Sequence, residues 1–409
     1  MSCGIRSVVL FLWLLGTLLP CSIFAATPSD IETLVQDNST FALALYQKLR
    51  SSGGNIFFSP YSLSTALAMT YAGARGDTER QMEKTLHFSL DQKHLHPAFA
   101  ELQSKLNAVQ NNKKIKLNTA NSLWPQQDYK FLDEYLTLVK QYYGVSITPV
   151  DYKHAREAAR ELINNWVEDK TQHKIKNPIQ RGLLDPLTRL VLVNAIYFKG
   201  NWASQFESSQ TRNAAFFLSP GKSVQTPMMS QKRQFRYAEL ESLQLLELPY
   251  VGSQLSMLVL LPKERGGLAQ LESSLSMEDL KRWKSRLHDT DVLVFLPKFK
   301  VTSQFRLDKT LMTMGMADAF SETKANFAGM DGKPNWLYIS AVIHKTFVDV
   351  NEEGTEAAAA TAVAIQARGI PAQPPTFRAD HPFLFLIYEN QTDSILFLGR
   401  IIDPTKSGE

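Results

Sequence analysis

Few side chains in this sequence of 409 residues are spaced for catalysis. It contains no Gly-x-Ser-x-Gly elbow, no His-Glu-x-x-His pair and no phosphate-cradling glycine loop. His94 and His96 are two residues apart and offer a metal pair. No third ligand stands at a suitable spacing, so a surface loop is the expected setting and no metal or cofactor is expected. Chemistry points instead to residues 352–377, which run Glu352-Glu353-Gly354-Thr355-Glu356, four alanines from Ala357 to Ala360, and on through Arg368 and Gly369. Arg368 is the only basic residue between Glu356 and Arg378. An exposed arginine suits a protease whose specificity pocket carries a carboxylate.

The pattern around that arginine is unusual. A long structureless stretch inside a compact domain is uncommon and usually functional. Pro371, Pro374 and Pro375 prevent regular structure in its second part. The alanines alone would permit a helix. Read at the period of a strand, however, Thr355, Ala357, Ala359, Thr361, Val363 and Ile365 form one small or apolar face. Glu356, Ala358, Ala360, Ala362, Ala364 and Gln366 form the other. Charge and amide are confined to the second face, which favours a strand pattern carried by a loop. Gly354 offers backbone freedom where the chain must turn.

The elements that position this segment are mixed. Ser59-Pro60 reads as a helix start, with serine capping and proline in the first turn, running through Leu63, Leu67 and Tyr71 to Gly73. Thr78-Glu79-Arg80-Gln81 reads as a capping box opening another helix. Ala155, Ala158, Ala159, Leu162, Ile163, Trp166 and Val167 fall on one helical face, and residues 130–143 read as helical. Short apolar runs at 189–198, 255–261, 292–296, 346–350, 383–387 and 395–398 read as strands, several buried on both faces. No linker or internal repeat divides the chain. The expected fold class is α+β, a single domain over 26–409, with helices concentrated in the first half and strands in the second.

Composition is that of an ordinary globular protein, 44% hydrophobic and 21% charged. Arg6, the apolar run Val8 to Leu19, and the small residues Ala25 and Ala26 follow the order of a secretory signal peptide over residues 1–25. The run is short for a transmembrane anchor, which needs about 20 apolar residues. A lipid-modified Cys21 is the remaining alternative, poorly served by Pro20. The only cysteines are Cys3 and Cys21, so cleavage leaves neither disulfide nor thiol. The expectation is a secreted protein, extracellular or periplasmic, and a monomer without a membrane span. Loss of Arg6 lowers the formal charge from +4 to +3, which does not argue for nucleic acid. Lys113, Lys114 and Lys116 form the densest basic cluster; a solvated turn is the first reading and weak polyanion binding the second.

Several segments taken together resemble the serpins, the serine protease inhibitors, over roughly residues 31–404. They are Asn55-Ile56-Phe57-Phe58-Ser59-Pro60, Asn194-Ala195-Ile196-Tyr197-Phe198-Lys199-Gly200 with Trp202, and Phe320 with Phe327-Ala328-Gly329-Met330. Later come His344-Lys345, Glu353-Gly354-Thr355-Glu356-Ala357-Ala358 and Ala379-Asp380-His381-Pro382-Phe383. Their order and spacing carry the resemblance. It implies three β-sheets, about nine helices and an exposed reactive loop, here residues 352–377.

The resemblance also implies a mechanism. A target protease cuts the loop, is held as an acyl-enzyme, and is displaced as the first half of the loop enters the main sheet. The cut usually falls fourteen residues after the hinge glycine, which from Gly354 is Arg368–Gly369. The expected partners are therefore trypsin-like serine proteases in a covalent 1:1 complex, and the protein is an inhibitor rather than an enzyme. A loop read one residue differently places the cut at Ala367 or Gly369 and favours elastase-like enzymes. The hinge comprises Gly354, Thr355, Glu356 and Ala357 to Ala360. Ser59, Ser62, Asn194 and His344 match the family's polar cluster beneath the sheet opening, and Trp202 its upper end. A non-inhibitory carrier or chaperone is the alternative; the four hinge alanines favour inhibition. Asn38 and Asn390 head glycosylation triplets that apply only in a eukaryotic host.

Overall fold

The computed structural model describes residues 25–109, 114–128, 130–145, 147–334, 337–355 and 373–408. Among these, ten α-helices and two short 3-10 turns surround two hydrogen-bonded sheets. The first half supplies α1 (Pro28–Leu49), β1 (Ile56–Phe58), α2 (Pro60–Tyr71), α3 (Gly76–Leu86), α4 (Gln92–Val109), β2 (Ile115–Pro125), α5 (Asp133–Tyr143) and α6 (Arg156–Lys170). Strands then dominate: β3 (Leu190–Asn201), β4 (Arg212–Ser219), β5 (Lys222–Glu239), β6 (Leu243–Pro249) and β7 (Leu255–Pro262). After α7 (Leu268–Ser274) and α8 (Met277–Lys284) come β8 (His288–Pro297) and β9 (Phe299–Arg306). The chain continues with α9 (Asp308–Met314), α10 (Ala328–Asp331), β10 (Ala341–Val350), β11 (Gly354–Thr355), β12 (Thr376–Arg378), β13 (Phe383–Glu389) and β14 (Ile395–Ile401).

The main sheet has five strands, β2, β3, β11, β10 and β9. At its centre β3 and β10 run parallel, paired from Val191–Ala341 to Tyr197–Phe347. Above that register they part, and β11 pairs antiparallel with β3 through Gly354–Asn201 and Thr355–Gly200. The two faces of β3 serve different cores. Leu190, Leu192, Ile196 and Phe198 join the large core. Val191, Val193 and Ala195 join a smaller one beneath α6, with Ile163, Val167, Ile175 and Ile179. A strand buried on both faces reads as a continuous apolar run, and Leu190–Phe198 is one.

The other sheet has nine strands, ordered β1-β14-β13-β7-β6-β5-β8-β12 with β4 on β5. The resemblance counts two sheets here. Strand β5 is continuous through both, pairing β4 and β8 along its length and β6 at its end, so they form one network.

Local expectations hold where packing agrees with them. Ser59 caps α2, its Oγ accepting the Ser62 amide at 3.2 Å. The capping box at Thr78 is absent: α3 begins at Gly76, and Thr78 Oγ1 instead accepts the Asn326 amide at 3.0 Å. Tertiary bonding outcompeted the local motif. On α6 the buried stripe is narrower than expected, Ala159, Ile163 and Val167, while Leu162 is 50% exposed. His94 and His96 lie on α4, not in a loop. His94 faces Asp91, and His96 is buried with Nδ1 2.6 Å from the Tyr143 hydroxyl. Asn38 is buried within α1 and accepts from Ser64 Oγ at 2.5 Å, so a glycan on it is incompatible with this fold.

Candidate functional site

The site is the line where β3 meets β10. His344 and Asn194 are cross-strand partners there, and Asn121 on β2 is the partner of Asn194 on its other side. All three, with Ser59 and Ser62, are buried. A buried polar group needs hydrogen-bond partners, and here each finds them. The Ser59 amide donates to His344 Nε2 at 3.0 Å, so that nitrogen carries no proton. Nδ1 therefore carries it and donates to Asn194 Oδ1 in a short bond. Asn194 Nδ2 reaches Ser62 O at 2.9 Å, Ser62 Oγ at 2.5 Å and, closer still, Asn121 Oδ1. Ser59 Oγ donates to Leu396 O at 2.6 Å. One network thus ties α2 and β14 to three strands of the main sheet. Full burial pushes the His344 pKa down to about 3, so the ring is neutral and the network needs no counter-ion.

Ser59, Ser62, Asn194 and His344 are brought together as expected. Asn121 was missed. Its signal is weak: the run Ile115–Pro125 also carries Asn118, Thr119 and Ser122, and linear order does not say which of them faces the core.

At the upper end of the line the chain leaves β10, turns through 351–353 and re-enters as β11. Gly354 has φ 136°, outside the range of ordinary side chains. A Cβ there would sit 2.2 Å from Gly200 O and 2.5 Å from Asn201 Cα. The turn is held from the β3 side: Trp202 N–H donates to Glu353 O at 2.9 Å, Phe206 N–H to Glu352 O at 2.8 Å, and Trp202 Nε1 to Asn351 O at 3.0 Å. The Trp202 indole stacks on Tyr250, 4.6 Å between centroids. Glu352 is 8% exposed. Its carboxylate accepts from Thr211 Oγ1 at 2.8 Å and meets Lys298 Nζ at 2.7 Å. Burial alone would raise its pKa; the bonds from Lys298 and Thr211 outweigh this and hold it below the usual range. Glu352, Thr211 and Lys298 were not singled out from sequence, because nothing in linear spacing relates 211, 298 and 352.

Glu356, Ala357 to Ala360, Arg368 and Gly369 lie outside the described residues, as do residues 1–24 with Cys3 and Cys21. So does Lys113; Lys114 and Lys116 open the way into β2, and Lys116 Nζ is engaged by Gln172 Oε1 at 3.3 Å. No described helix is long and apolar enough to cross a membrane.

A family model described as serpin, serine protease inhibitor, matches residues 36–404. The leukocyte elastase inhibitor of Homo sapiens is 43% identical over 385 residues, covering 91% of this chain and all of that protein. The leukocyte elastase inhibitor A of Rattus norvegicus is 42% identical with the same coverage. Uncleaved ovalbumin superposes with TM-score 0.82 at 33% identity, over 90% of this chain and all of ovalbumin.

These relatives correct two expectations. Their names give elastase, not a trypsin-like enzyme, as the protease inhibited. The family match begins at residue 36, past the apolar run at Val8–Leu19, so the comparisons lend that run no support as a secretory leader. Secretion and trypsin-like specificity, both drawn from short local signals, are overturned.

Proposed function

Because the chain belongs to the serpin family and is of its inhibitory type, we propose that it traps serine proteases by admitting its cut loop into the line between β3 and β10. Serpins act as suicide substrates of such enzymes, and the observation that supports this route is β11. Gly354 and Thr355 already pair with Asn201 and Gly200 at the top of that line. Carried downward, the same register sets Ala357 opposite Phe198, Ala359 opposite Ile196, Thr361 opposite Asn194 and Val363 opposite Leu192. Those β3 residues face the large core or the buried polar network. The face that is small and apolar in sequence is then the face that enters the core. Glu356 falls opposite Lys199, on the other face.

The reactive bond is assigned to Arg368–Gly369. Elastase, named for the relatives, is the first candidate target, and Ala367 offers such an enzyme a small side chain one residue earlier. Incubation with elastase-type and other serine proteases, followed by denaturing electrophoresis, should give a stable 1:1 complex. Mass spectrometry of the released C-terminal fragment identifies the bond: a start at Gly369 places it after Arg368, and a start at Arg368, which the small pocket of an elastase-type enzyme favours, moves it to Ala367. Cleavage without any stable complex would favour a non-inhibitory carrier.

A further inference from the structure

A groove away from the main sheet combines a spare hydrogen-bond donor with spare negative charge. It encloses about 710 Å³ between the β5–β6 turn, the end of β7, α7 and α8. That volume falls within the range of small-ligand sites. Its floor follows from the sequence. Helix α8 is capped by Ser276, whose Oγ accepts the Asp279 amide at 3.0 Å, and its Leu280 and Trp283, three residues apart, turn inward together. Leu243 of β6 and Leu271 of α7 are buried beside Trp283 and complete the apolar floor. One wall is shaped by Gly267. A Cβ there would lie 2.9 Å from Pro262 Cβ, so the chain doubles back tightly from β7 into α7. Trp283 is only 6% exposed, yet its Nε1–H has no acceptor among the described residues. An indole N–H so deeply buried usually finds one. Of the charges on the rim, Lys263 is taken by Glu239 at 2.8 Å and Arg282 by Asp279. Glu241 and Glu264 are exposed, and no described cation pairs with either.

We infer that this groove binds an arginine-bearing peptide segment of a partner protein. Three features of the groove select that chemistry. Two unpaired carboxylates at the mouth call for a cation, and the planar guanidinium fork matches carboxylates better than a point charge does. The apolar floor of Leu243 and Leu271 suits the methylene stem of arginine, which lies along such surface while its charged head stays in water. The unpartnered Trp283 N–H calls for an acceptor, and a peptide main chain supplies a carbonyl within reach of the same side chain. An acidic segment is excluded by repulsion from Glu241 and Glu264. No residue lining the groove belongs to the main sheet, so the site is separate from the line between β3 and β10. The inference therefore does not rest on the inhibitory reading.

The probe is the blocked tripeptide acetyl-Ala-Arg-Ala-amide, with acetyl-Ala-Glu-Ala-amide as its control. The full chain is titrated with each by calorimetry. In parallel the indole N–H resonance of Trp283, identified by its loss in Trp283→Phe, is followed by NMR. The arginine peptide should bind and shift that resonance, and its affinity should fall several-fold as salt is raised, since exposed charges are screened. The glutamate peptide should do neither. Glu241→Gln/Glu264→Gln should weaken binding about tenfold, because charge-assisted hydrogen bonds are the strong ones. Trp283→Phe keeps the ring, loses the donor and should weaken binding several-fold. No binding by the parent, equal binding of the glutamate peptide, or unchanged affinity in the double glutamine variant overturns the inference. So does equal binding of arginine amide alone, which would leave no role for a segment. Both glutamates are exposed, so the double variant decides the matter even if Trp283→Phe fails to fold.

Discussion

His344 and Asn194 face each other across the β3–β10 line, and the bond from His344 Nδ1–H to Asn194 Oδ1 crosses it. Any strand entering there must separate them. On the route proposed here the network acts as a latch: it holds the uncut state, and its groups can find other partners when the line opens. Asn194→Ala removes that acceptor and leaves Ser62 O, Ser62 Oγ and His344 Nδ1 short of a partner. Each buried orphan costs about 1–3 kcal/mol. The uncut protein should melt several degrees lower by calorimetry. An unchanged midpoint would mean that the network does not hold the line closed.

Acid should weaken the uncut protein through two of its buried histidines, His344 and His96. His344 is held down to about 3 and His96 to about 4 by burial, against 6.5 in an unfolded chain. Below pH 6.5 the unfolded chain takes up protons that the fold refuses. Stability is therefore full above pH 6.5 and falls as pH drops from there toward the folded values. His96→Phe removes one contributor, so its midpoint should fall less steeply between pH 6.5 and 4.5 than the parent's. Parallel slopes would show that His96 does not contribute.

The turn that launches the loop depends on Glu352. Glu352→Lys sets a second cation beside Lys298 and leaves Thr211 Oγ1 without its acceptor. Lys298 is 38% exposed on its side chain, so solvent screens the pair and the loss falls below that for fully buried pairs, to about 1–3 kcal/mol. The double variant Glu352→Lys/Lys298→Glu restores the pairing and should recover most of the lost midpoint. No recovery would mean that burial of the side chain, not its charge, is what matters.

Thr355 and Glu356 separate an inhibitor from a mere substrate. Thr355 pairs with Gly200 of β3, two residues on from Phe198 of the large core. An arginine there would bring an unpaired charge into the line at the first step, at a cost of several kcal/mol. Thr355→Arg should still be cut in the loop yet yield free, active protease on gels and in activity assays. Glu356→Arg, on the opposite face, should largely keep inhibition. Equal loss in both would show that the two faces of the loop are not distinguished.

Much of this was legible from residue order alone. The apolar run at 189–198 announced a strand buried on both sides, and β3 is that strand. The alternation after Gly354 announced a segment able to enter a sheet; of it only Gly354 and Thr355 are described, and both pair with β3. What stayed hidden is what only three dimensions juxtapose. Asn121, 73 positions from Asn194, completes the latch. Lys298 and Thr211 meet Glu352 from separate parts of the chain. Thr78 looked like a helix cap because the local motif is complete; its hydroxyl serves Asn326 instead, 248 positions away. The readings of secretion from the apolar run and of trypsin-like specificity from the lone arginine failed for the same reason. Both are short signals read without the context that decides between them.

The central claim is that the line between β3 and β10 is an unfilled strand position. The melting midpoint of the protein before and after a single cut in residues 356–372 tests it most directly. Insertion adds a row of backbone hydrogen bonds and buries an apolar face. Since about 1 kcal/mol moves a domain of this size by only about 2–4 °C or less, the gain expected is on the order of tens of degrees. A midpoint that stays the same or falls after the cut would contradict the account.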